Sequence, residues 1–155
     1  MKTENNENEA LNKTDVNHSV LKLESIYPYL AYNLEFQYLF VTKTKNIEKR
    51  KGVCNGFRKM YHTEELLIDN NANNPEWIDL LLLKPILRPL KDLPKLFDKM
   101  TEEEQNITMH CEHVIKDNFI VWQEPLFIIE ILLKYHLDIY GLIDKKQAIS
   151  IHNVK

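Results

Sequence analysis

In the run Leu34-Glu35-Phe36-Gln37-Tyr38-Leu39-Phe40-Val41, Leu34, Phe36, Tyr38 and Phe40 recur at period two. That spacing belongs to a strand with one buried face, because successive side chains of extended backbone point to opposite sides. It excludes an all-helical fold and demands partner strands. They are expected at Gly52–Phe57, at Glu65–Ile68, and from Trp77 through Leu83 into Lys84-Pro85. Thr42 to Lys51 reads as a polar link. Gly52 and Gly56 are candidates for a turn and a bulge, and Asn70–Pro75 for a loop.

Helical signals flank this block. Leu21, Leu23, Ile26, Tyr27 and Leu30 form a short stripe, expected to end or kink near Tyr27 because Pro28 disfavours helix at the residue before it. Thr101-Glu102-Glu103-Glu104 is a capping box, followed by a stripe of Ile107, Cys111, Val114 and Ile115. A second helix is expected from Pro125 through Ile128, Ile129, Leu132, Leu133 and Tyr135 to Ile139, with Gly141 as its stop. Ala148–Ile151 can add a short last strand. The expected class is therefore α+β: a short N-terminal helix, a four-stranded antiparallel meander or small SH3-like barrel, and a helical C-terminal part. Residues 1–18 are Asn- and Glu-rich and read as a disordered tail, 19–96 as the barrel-like part, and 97–155 as helical.

Two prolines mark the boundary between strands and helices, in Lys84-Pro85-Ile86-Leu87-Arg88-Pro89-Leu90. Neither can donate a ladder bond, so this segment is expected to leave the sheet or lie on its edge. Arg88 is expected to meet a carboxylate or a helix end inside the fold. This segment, the following Lys91-Asp92-Leu93, the ending Leu132–Asp144 and the shorter Tyr27-Pro28-Tyr29-Leu30 resemble a family of small Bacteroidetes phage and prophage proteins. The resemblance implies a phage or prophage origin and carries no mechanism. Small phage proteins without catalytic motifs often bind host machinery, and inhibitors of RNA-guided (CRISPR) defence are one such class.

Composition restricts the chemistry. With 155 residues, 44% hydrophobic and 28% charged, the chain can build its own core without metal or disulfide. Cys54 and Cys111 are too far apart for a disulfide framework and read as reduced, buried thiols. The longest apolar stretch, Leu126–Leu133, is interrupted by Glu130 and is too short to span a membrane. The expected location is the cytoplasm of a bacterial host, with no membrane partner. His110-Cys111-Glu112-His113 places two imidazoles three residues apart, the one hint of a metal-dependent hydrolase, but no third ligand follows at a metal-site spacing. Nucleophile elbows and glycine-rich phosphate loops are missing from the sequence. No catalytic role, metal or cofactor is expected.

The remaining concentration of chemistry is basic. Lys43, Lys45, Lys49, Arg50, Lys51, Arg58 and Lys59 stand against the single acid Glu48 between positions 43 and 59, with Phe57 and Tyr61 nearby. On a hairpin this would gather positive charge at one rim. Such a rim suits a host protein or ribonucleoprotein, or, as an alternative, direct binding of RNA or single-stranded DNA. It also suits a hairpin whose lysines discourage edge pairing. Trp77, Trp122, Tyr27, Tyr29, Tyr32 and Tyr38 supply aromatic area, most of it expected in or around the core.

Overall fold

The computed structural model describes residues 20–42, 44–70, 75–109 and 126–154. The 1–18 tail, Lys43, most of the Asn70–Pro75 loop, the His110–His113 cluster and Trp122 lie outside them. The described chain is α+β. Helix α1 (Leu23–Leu30) precedes strands β1 (Glu35–Val41), β2 (Ile47–Met60), β3 (Thr63–Asp69), β4 (Glu76–Asp79) and β5 (Leu83–Leu87). Successive 3₁₀ turns over Leu90–Lys99 lead to α2 (Glu102–Met109), α3 (Leu126–Lys134) and β6 (Ile149–Ser150). The strands form one sheet in the order β4-β3-β2-β1-β5-β6, antiparallel except for the parallel β5–β6 pair.

The strand expected from Trp77 to Pro85 is two strands. The 3₁₀ turn Leu80–Leu82, capped by the Asp79 carboxylate accepting from Leu81 N–H at 2.9 Å, separates β4 on β3 from β5 on β1. A flat sheet would hold β4 and β5 four inter-strand spacings, about 19 Å, apart. The chain from Asp79 to Leu83 reaches about 14 Å at most. The sheet therefore curls, with β4 and β6 as its edges.

Strand β2 makes that curl. It begins at Ile47, inside the segment expected as a link, because Leu39–Val41 of β1 offer it a ladder as far as the turn Thr42–Asn46. Up to Val53 it pairs with β1, and from Val53 onward with β3, with a bulge between Cys54 and Gly56. At the crossover a Cβ on Gly52 would stand 2.5 Å from both the Asp69 carbonyl oxygen and Ile68 Cγ2. Gly52 is thus a point of close approach, not a turn, whereas Gly56 does adjoin the bulge.

The concave face carries the core. Phe36, Tyr38, Cys54, Leu66, Ile68, Leu83 and Leu87 pack with Ile26 and Tyr29 of α1 and with Leu93, Leu96, Leu132 and Leu137, in one cluster joining the strand and helical parts. Helix α1 continues past Tyr27 with Pro28 inside it, since Ile26 and Tyr29, both fully buried, lie on either side of the proline. Tyr29 Oη donates to the Leu137 carbonyl at 2.8 Å and accepts from Ile139 N–H at 3.1 Å. Helix α3 stops at Lys134, short of the expected Ile139. His136 adopts φ 56°, its N–H donates to Leu133 O, and Leu137 N–H donates to Leu132 O. This is a Schellman ending with histidine in the place usually held by glycine; Gly141, also at positive φ, turns the chain afterwards.

The Lys84–Leu90 segment enters the sheet as β5 up to Leu87, and the chain leaves it after Arg88, at Pro89 and Leu90. Its strand is flanked by β1 and β6, and Pro85 fits because β6 pairs only from Ile86 onward. Arg88 extends the pairing: its N–H donates to His136 O and its carbonyl accepts from Asp138 N–H, both at 2.8 Å. The capping box forms as expected, with Glu104 N–H donating to Thr101 Oγ1 at 3.2 Å and Thr101 N–H to Glu104 Oε2 at 3.0 Å. The same carboxylate receives Lys134 Nζ at 2.7 Å and the Tyr135 hydroxyl at 3.0 Å, joining α2 to α3.

Two predictions follow from these contacts. Gly52→Ala should destabilise the protein by about 2 kcal/mol or more, because its methyl meets backbone on the neighbouring strand; denaturant unfolding measures this. Lys134 first, then Thr101 N–H and Tyr135, hold the Glu104 carboxyl down at about 2 against an ordinary 4.5. Its contribution is therefore complete above pH 4.5 and lost as pH falls through 2. Glu104→Gln should cost stability at pH 6, with the gap to the parent chain closing toward pH 2.

Candidate docking surface

The convex face follows from the β1–β2 register. Tyr38 faces the core, so its neighbours Gln37, Leu39 and Val41 face outward. Directly opposite them on β2 stand Lys51, Lys49 and Ile47, which share that face. Leu39, Val41 and Ile47 are 61%, 63% and 69% exposed. Across Gln37 on the other side is Lys84 of β5, so Lys51, Gln37 and Lys84 form a row over three strands.

The distal half of this hairpin projects from the sheet. β5 pairs with β1 only over Phe36–Tyr38, and β3 meets β2 only from Val53, so the end made of Leu39–Val41 and Ile47–Lys49 is two strands wide among the described residues. The described residues of the tip are joined by their own bonds. Thr42 N–H donates to Asn46 O at 2.9 Å, Asn46 N–H to Thr42 Oγ1 at 3.1 Å, and Lys45 N–H to Thr42 O at 2.9 Å. Lys45 takes φ 63°, a conformation that usually falls to glycine or asparagine, and is exposed.

The basic residues do not form one rim. Lys43 lies outside the described residues. Lys45, Lys49 and Lys51 stand together at the projecting end and have no ion-pair partner among the described residues. Arg50 points to the opposite face, where its guanidinium lies 3.4 Å from the Phe40 ring centroid and 3.4 Å from Glu48 Oε2. Arg58 and Lys59 sit on the far half of β2, about 30 Å from Lys49 along an extended strand. There Arg58 contacts Glu65 at 2.6 Å and covers Trp77 at 4.2 Å, while Lys59 lies 3.5 Å from Glu64. Two effects divide the cluster: strand alternation, and the acids Glu64 and Glu65 delivered by β3.

Leu39, Val41 and Ile47 were not singled out from the sequence, and Lys84 was noted there only as part of the two-proline segment. The signal for Leu39 and Val41 was present, since the alternating run that buries Phe36 and Tyr38 leaves two aliphatics on its other side.

Other chemistry-bearing groups have structural surroundings. Cys54 donates from Sγ to the Gly56 carbonyl at 3.2 Å, and burial pushes its thiol above the ordinary value, away from a reactive thiolate. His136 Nε2 lies 2.7 Å from Tyr32 O. Among the described residues, no three His, Cys, Asp or Glu side chains converge as a metal site requires, and no helix is long and apolar enough to cross a membrane. No protein-family model matches the chain, and no curated protein or solved structure is significantly similar to it.

Proposed function

We propose that the protein is a non-catalytic binding module that attaches to a host protein through the projecting β1–β2 hairpin. The observation that carries this reading is the union, on one outward face, of Leu39, Val41 and Ile47 with Lys49 and Lys51. Exposed aliphatics beside unpaired cations suit a partner surface that is apolar at its centre and acidic at its margin. The resemblance of Lys84–Leu90 to phage proteins supplies the setting: a phage or prophage protein acting in the host cytoplasm. Its most specific form is an inhibitor of an RNA-guided defence effector. The 3₁₀ interruption between β4 and β5, with the change of partner along β2, supports reading the curled sheet as an open SH3-like barrel.

Direct nucleic-acid binding is the weaker reading. Base stacking needs open aromatic faces beside free cations; at the hairpin end that carries Lys45 and Lys49 the Phe40 ring lies under Arg50, and the exposed Phe57 and Tyr61 stand at the far half of β2, where Arg58 and Lys59 are engaged by glutamates. Arg50, Arg58 and Lys59 are each engaged by a glutamate, which lowers the charge left for phosphates.

Affinity capture from host lysate, with and without nuclease, tests the proposal. A protein partner should persist after nuclease. Leu39→Ser with Ile47→Ser should weaken its binding by about tenfold or more, as expected when central contacts are truncated. Lys49→Ala with Lys51→Ala should weaken it most at low salt. Recovery of nucleic acid alone, or binding indifferent to both double variants, would overturn the reading.

A further inference from the structure

Farther along the convex face, beyond Lys84, the side chains of Ile86 and Arg88 line a cavity of about 390 Å³. That volume lies within the range of small-ligand sites. Its apolar wall is Val53, Ile86 and Ile151; its polar groups are Asn33, Glu35, Arg88 and His136. The side chain of Arg88, expected to meet a carboxylate or a helix end inside the fold, has no hydrogen-bond or ion-pair partner among the described residues; only its backbone meets the end of α3, at His136. A guanidinium is always charged and presents five donors in a planar fork that matches a carboxylate bidentately, and here its nitrogens are open to solvent, since no buried side-chain nitrogen or oxygen among the described residues lacks a partner.

The surroundings are rigid and specifically built. Both backbone groups of Arg88 are bonded across to His136 and Asp138. His136 is held by its ring contact to Tyr32 O and by the helix ending. Burial foremost, with the nearby Arg88 charge, holds its imidazole below the ordinary value. Asn33 and His136 both adopt φ 56°, so two left-handed non-glycine residues line one cavity.

We propose that this cavity binds a carboxylate attached to an apolar group, with Arg88 gripping the carboxylate and Val53, Ile86 and Ile151 receiving the apolar part. A single negative charge fits better than a phosphate dianion. One guanidinium is the only fixed cation lining the cavity among the described residues, and Glu35 stands at the same wall. Two sources share this chemistry: a free branched carboxylic acid and the C-terminal residue of a polypeptide.

The experiment follows amide resonances of the full chain during titration with isovalerate, with a tetrapeptide ending in leucine, and with the same peptide amidated at its C-terminus. Isovalerate, the free-acid peptide or both should shift amides around Asn33, Arg88 and His136, and the amidated peptide should not. Tighter binding of the peptide assigns the site to a chain terminus; equal or tighter binding of isovalerate assigns it to a small acid. Arg88→Gln should weaken binding at least tenfold. Glu35→Gln, which removes the competing negative charge, should strengthen it several-fold and provides a second test if Arg88→Gln does not fold. The proposal is overturned if neither acid binds at millimolar concentration, if inorganic phosphate binds as tightly, if the amide binds equally, or if Glu35→Gln weakens binding.

Discussion

The contact on which the fold depends is the approach of β3 to Gly52. With no side chain there, Ile68 and the Asp69 carbonyl come close enough for β2 to leave the β1 ladder and enter the β3 ladder within a few residues. The bulge at Asn55 completes the change of direction, as bulges commonly do where a strand turns a corner. Everything distal follows. The curl brings β4 within reach of β5 through a single 3₁₀ turn. β5 then offers its outer edge to β6, and Arg88 beyond it bridges to Leu137. Among the described residues β3 pairs with β2 only from Val53 onward, which leaves the hairpin end of β2 beyond it.

Local signals in the sequence were legible where the answer was local. The period-two run from Leu34 buries Leu34, Phe36 and Tyr38 as expected, while Phe40 is half-buried and Gln37, on the other side, is buried too; Thr101–Glu104 forms the reciprocal cap that its spacing implies. Sequence reasoning fell short where distant residues decide. Nothing in Trp77–Pro85 reveals that its halves belong to different strand partners. The end of α3 is set by Arg88, which bonds the backbone of His136 and Asp138 from far along the chain. Pro28 is tolerated inside α1 because two fully buried side chains outweigh a local preference.

The candidate site was legible in part. The sequence located a basic stretch, and it could not foresee that alternation would turn Arg50 inward, or that Glu64 and Glu65 would occupy Lys59 and Arg58. What survives is smaller and mixed in character: lysines interleaved with aliphatics. Charge in such a face tunes encounter rate and orientation, while the aliphatics carry the area removed from water. A sum of charges along the chain is blind to that division of labour.

The parallel pairing of β6 with β5 has a consequence during synthesis. The strand that covers β5 lies about sixty residues farther along the chain, so several seconds of translation separate the two at ordinary elongation rates. For that interval the N-terminal strands can assemble with an open edge at β5, the kind of edge that recruits foreign strands. Pro85 sits on that edge and withholds a donor from any intruder. A residue that looks like a flaw in a finished strand thus guards an unfinished one.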